Sequence, residues 1–160
     1  MRAPIAILLL SAAALAAQPK PGPADEAARH YKLSMEKVDR WAAANKAVFD
    51  YVRTHPGFAQ KAGQMETLGQ AGSLEEMDQR ARSIAPEYVK AVESSGLNFR
   101  DYVVATIALS AAYATAGAAQ PPKTIPAANI AFVRANKPKL DAIFAQLQQM
   151  SAAVNKKPGG

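Results

Sequence analysis

Cysteine is missing from this 160-residue chain, and its absence excludes several function classes at once. No disulfide, thiolate metal site or thiol nucleophile can form, and the C-x-x-C-H attachment of a c-type haem is impossible. An exported form has no cysteine to acylate, so it is released rather than lipid-anchored. Histidine is scarce too, with His30 and His55 alone. Glu26 and His30 share a helix face at i and i+4, which is half a metal site. A zinc site needs three or four ligands, and no partners follow at a recognisable spacing. His55 belongs to the helix-ending turn His55-Pro56-Gly57, where it can bond the last carbonyls. No metal and no cofactor is expected.

Catalytic motifs are equally sparse. Ser73, Ser83, Ser94, Ser95 and Ser110 lack the G-x-S-x-G setting of a nucleophile elbow. Glu75 and Glu76 diverge on a helix surface and make a poor acid–base pair. Gly63, Gly69 and Gly72 lack the preceding strand and the lysine of a phosphate loop. The chain therefore reads as non-enzymatic; an enzyme would need a composite site with no local signature. No alternating apolar run flanks a hairpin turn, so no strand is expected.

What is present begins with an address. Arg2 precedes an apolar run from Ile5 to Leu15 that ends in small residues, with Ala14 and Ala16 in an Ala-x-Ala relation. That is the pattern of a cleaved signal peptide, here residues 1–17, and it is well short of the roughly 20 residues of a membrane span. A periplasmic or secreted location is expected. Residues 18–23 (QPKPGP) read as a flexible leader, 24–155 as one helical domain and 156–160 as a disordered tail.

The formal charge is +6, which favours an envelope protein or acidic envelope component as partner. Nucleic acid and a membrane span after cleavage are not expected. The basic residues are dispersed, densest at Arg80 with Arg82 and at Arg134 with Lys137 and Lys139. Most of them read as a solvated surface.

Helical periodicity dominates the rest. Tyr31, Ser34, Val38, Trp41, Asn45, Val48 and Val52 fall on one stripe, which predicts a single long helix from Ala24 to the His55 turn. Phe58 to Leu68 is a weaker helical segment, followed by a loop over Gly69–Gly72. Ser73 and Glu76 have capping-box spacing, and Pro86 kinks or restarts the helix that follows. Gly96 reads as a left-handed cap. Asn98 and Asp101 then form a helix start, with Leu97 and Tyr102 as its staple. Phe99 to Ala116 has no formal charge past Tyr102 and is apolar or small on nearly every side, as in a helix buried all round. A proline-rich loop, Ala118–Pro126, separates it from Ala127–Asn136. Pro138 allows a kink or a new first turn, and Leu140, Ile143, Phe144, Leu147, Met150 and Val154 form a closing stripe. The fold predicted is all-α: a compact helical bundle of about four to six helices with a buried central helix.

The aromatic residues read mainly as core. Tyr51 lies off the main stripe, and Trp41 beside Arg40 and Asn45 could line a pocket. Trp41, Tyr51 and Arg134 are thus the candidate ligand- or partner-binding residues. The leading function is a non-enzymatic exported binding or interaction protein. The alternative is a carrier of a small apolar ligand or haem, for which Met150 with His30 or His55 is the conceivable iron pair.

The segments GLNFRDYVVATIAL (Gly96–Leu109) and NIAFVRANKPKLDAIF (Asn129–Phe144) resemble a pattern in small exported helical bacterial proteins of unknown function. There a G-L-x-x-R-[ED]-Y helix start precedes an alanine-rich helix, and F-V-R-x-N opens the last one. The resemblance implies a helical exported protein and no activity.

Overall fold

The computed structural model describes residues 21–155. The expected signal peptide (1–17), leader residues 18–20 and the tail (156–160) lie outside the described residues. Among the described residues there is no strand, and the all-α expectation holds with eight α-helices rather than four to six. The excess arises where predicted continuous elements are cut.

The first cut divides the predicted long helix into α1 (Pro23–His30) and α2 (Met35–Thr54). Tyr31 takes extended backbone angles, and the Ser34 hydroxyl accepts from the Lys37 amide at 3.4 Å, so Ser34 starts a new helix rather than continuing the old one. The intervening loop is pinned from far along the chain. Asn129, 1 % exposed, accepts from the Leu33 amide at 3.0 Å and donates to the Tyr31 carbonyl at 2.7 Å. One side chain thus satisfies both a donor and an acceptor that the break would otherwise orphan. Upstream, Pro21–Pro23 depart from the expected loose leader. Pro23 opens α1, where its fixed φ suits the first turn, and the Gly22 amide donates to Asp25 Oδ2 at 2.9 Å.

Beyond α2, the helix α3 (Phe58–Glu66) runs into a 3-10 turn (Thr67–Gln70). Ser73 caps α4 (Leu74–Ile84), accepting from the Glu76 amide at 3.1 Å. Glu76 reaches back to the Gly72 amide at 2.7 Å, and this bond holds its carboxyl below the usual carboxylate range. Pro86 restarts the chain as the first residue of α5 (Pro86–Glu93), and the turn that follows it closes at Gly96 with φ +83°. Arg82 clasps α4 to α5, reaching Asp78 at 3.0 Å and Glu93 at 2.6 Å.

Asn98 caps α6 (Phe99–Thr115), accepting from the Asp101 amide at 2.8 Å while its own amide donates to Asp101 Oδ2 at 2.9 Å. After the loop come α7 (Ala127–Ala135) and α8 (Lys137–Asn155). Asn136 serves both: its side chain donates to the Phe132 carbonyl that ends α7, and its carbonyl receives the Leu140 amide in the first turn of α8. Pro138 therefore sits inside a new first turn, where its missing amide costs nothing.

In the assembled core α6 is central. It packs against α1, α2, α4, α5 and α7, while α2 also lies along α5 and α8. Leu140 and Leu147 of the closing stripe are buried, and Ile143, Phe144 and Met150 are partly buried against the same core; the Val154 side chain lies outside the described residues. Among the described residues, no helix is long and apolar enough to cross a membrane.

Candidate functional site

Most of α6 is enclosed: Phe99, Tyr102, Val104, Ala105, Thr106, Ala108, Leu109 and Ala112 are buried. Its remaining face, Val103, Ile107, Ala111 and Ala114, follows i, i+4, i+8 and i+11, a single stripe. That stripe borders a cavity of about 650 Å³. Ala24 and Ala28 of α1, with Met65, Leu68 and Met77, form further wall. Ala24 and Ala28 of α1 and Ala108, Ala111 and Ala114 of α6 contribute small side chains to the lining.

The cavity is elongated. Its lining on α6 runs from Phe99 to Thr115, about 24 Å of helix at 1.5 Å per residue. Tyr88, Phe99 and Tyr102 stand at one end, and Pro122 to Pro126 at the other. Its charged lining residues, Asp25, Arg29 and Glu66, belong to α1 and the last turn of α3. Arg29 is paired with Glu26 at 3.3 Å. The threonine hydroxyls of α6 that line the cavity are engaged within the protein: Thr115 bonds the Ala111 carbonyl at 2.7 Å, and Thr106 belongs to a polar ring behind the wall.

That ring joins α2 to α6. Trp41 Nε1 donates to Thr106 Oγ1 at 2.8 Å, and Thr106 donates to the Tyr102 carbonyl at 2.7 Å. Tyr102 Oη donates to Asn45 Oδ1 at 3.0 Å, and Asn45 Nδ2 returns to the Trp41 carbonyl at 2.8 Å. Every member is satisfied, which is what makes a buried polar network tolerable. Beside it stands Tyr88, half-buried, its ring stacked on Phe58 at 5.2 Å and edge-on to Phe99 at 6.3 Å. Burial pushes the Tyr88 hydroxyl up to about 12, and burial raises that of Tyr102 as well.

The three candidate residues named from sequence do not converge. Trp41 is buried as a member of the ring and meets Phe144 edge-on at 5.7 Å. Tyr51, ten residues and about 15 Å further along α2, stacks on His55 at 4.3 Å and packs on Phe58. Arg134 closes the end of α6, donating to the Ala116 carbonyl at 2.7 Å and the Ala118 carbonyl at 3.2 Å. A cation bonding the last carbonyls of a helix is a capping arrangement. None of the three lines the cavity, and neither do His30, His55 or Met150. Glu26 and His30 lie 3.6 Å apart, and no group of three or more metal-ligating side chains occurs among the described residues.

No protein-family model, curated protein or solved structure matches this chain.

Proposed function

We propose that this is an exported, non-enzymatic binding protein whose ligand is a small apolar molecule held along α6. The observation that carries the reading is the cavity of about 650 Å³, a size typical of small-molecule sites, which are mostly apolar with few polar groups. Its interior is walled by alanine, methionine, valine and isoleucine, with charge restricted to α1 and the end of α3. An uncharged apolar ligand matches such walls, since an unpaired buried charge is strongly disfavoured. Iron ligation by Met150 with a histidine has no support in the cavity, so the apolar-ligand reading is preferred to haem. Export rests on the N-terminal sequence pattern, and the resemblance to small exported helical proteins agrees with it.

The test is native mass spectrometry of protein recovered from its own cell envelope, paired with titration of the purified protein by the fluorescent hydrocarbon-like amine N-phenyl-1-naphthylamine. Retained mass or saturable fluorescence enhancement is expected. Ala111→Trp, which places an indole in the cavity, should abolish the enhancement while the helical circular dichroism is kept. Undiminished probe affinity in that variant refutes the site.

A further inference from the structure

Deepening that reading, we infer that Tyr88 is the specificity-determining residue of the cavity, donating a hydrogen bond to a neutral oxygen acceptor at one end of the ligand. The ligand class is then an extended apolar molecule with a terminal carbonyl, ether or hydroxyl oxygen, rather than a plain hydrocarbon or an anion.

The argument rests on which polar hydrogens are already engaged. Thr106, Thr115 and Tyr102 line the cavity, but each hydroxyl hydrogen has an acceptor in the protein, and Thr124, at the opposite end, is exposed to solvent. Tyr88 differs. Among the described residues its hydroxyl hydrogen has no acceptor in the protein, and the Tyr102 hydroxyl directs its own hydrogen at Asn45. Rotation about the Tyr88 C–O bond directs this hydrogen toward a ligand oxygen without moving the ring. The ring itself is held by Phe58 on one side and Phe99 on another, so the donor is positioned before the ligand arrives, which limits the ordering cost of binding.

The acceptor must be neutral. The charged lining residues are Asp25 and Arg29 of α1 and Glu66 of α3; α3 also supplies the Phe58 stacked on Tyr88, so the charge it adds is an anion and not a cation. A carboxylate there would lack a cation, and burial of an unpaired charge is far more costly than burial of a carbonyl. With its hydroxyl raised to about 12, Tyr88 stays a donor across the physiological range.

The experiment compares two probes of matched shape, 2-acetylnaphthalene and 2-ethylnaphthalene, by equilibrium dialysis against the wild-type protein and Tyr88→Phe. This substitution removes the oxygen and keeps the stacked ring. The ratio of the two affinities cancels differences in the probes' own hydration and in the fold of the variant. A buried neutral hydrogen bond predicts that Tyr88→Phe shifts the ratio against the ketone by about 3- to 10-fold, with the ethyl probe nearly unaffected. Binding of both probes with an unchanged ratio overturns the role of Tyr88 and leaves the apolar-ligand reading standing. Failure of both probes to bind the wild type overturns both.

Discussion

Replacing Asn129 by alanine removes one side chain and two bonds on which the shape of the N-terminal region depends. The Leu33 amide loses its acceptor at 3.0 Å and the Tyr31 carbonyl loses its donor at 2.7 Å. Leu33 is 5 % exposed, so its amide has no water to replace Asn129 and bears the full penalty of an unsatisfied donor, about 1–3 kcal/mol. Tyr31 is half-buried, and its carbonyl adds about 1 kcal/mol. The sum is about 2–4 kcal/mol, which lowers the melting temperature of a domain this size by about 6–12 °C. Urea unfolding monitored by circular dichroism measures it. Asn129→Asp keeps an acceptor for Leu33 but points a carboxylate at the Tyr31 carbonyl, so it should be no better than alanine at neutral pH. Hydrogen exchange adds a local readout, with the amides of Ala24–His30 losing protection before those of α6. A loss below 1 kcal/mol, or unchanged protection in α1, refutes the assignment of Asn129 as the anchor of this joint.

Two other perturbations follow from described contacts. Thr106→Val preserves shape but leaves the buried Trp41 indole N–H without its acceptor, at a cost of about 1–3 kcal/mol; a blue shift in Trp41 fluorescence with no loss of stability would contradict the ring. Asp141, which accepts from Lys137 at 2.8 Å and from the Tyr113 hydroxyl, has its carboxyl lowered by those bonds. Its contribution is therefore complete above the unfolded carboxylate value of about 4 and is lost as pH falls through the lower folded value. Asp141→Asn should flatten the acid limb of the stability–pH curve below about pH 4, and an unaltered limb counts against the pairing.

Local signals in the sequence located the helix starts well because a cap is a short-range device. Ser73 with Glu76, Asn98 with Asp101, Pro86 and Gly96 all act as their types and spacings imply. The division of α1 from α2 was hidden, since the apolar stripe runs on from Tyr31 through Ser34 to Val38 in apparent helical register. What breaks it lies 96 residues away at Asn129, beyond the reach of any periodicity. The cavity was hidden for a different reason. Alanines at 108, 111 and 114 suit both close helix packing and an unfilled space, and only the position of α1 decides between them. Arg134 is exposed, but its capping role was hidden because its acceptors are carbonyls at and just beyond the end of another helix. Tyr88 carried one available clue, an aromatic hydroxyl beside Val89 and Val92 on the apolar side of a short helix.

Asn129 also sets an order of events. Synthesis delivers Tyr31 and Leu33 long before Asn129, so the joint between the first two helices cannot close until α7 has been made. Contacts this distant in sequence slow the search for the native state. Under the proposed export, that delay has a use: the N-terminal third stays open while the chain is threaded unfolded through a membrane. The wall contributed by Ala24 and Ala28 would be among the last pieces seated. A ligand present at that moment could enter before the wall is in place, so loading during folding would be faster than loading of the finished protein.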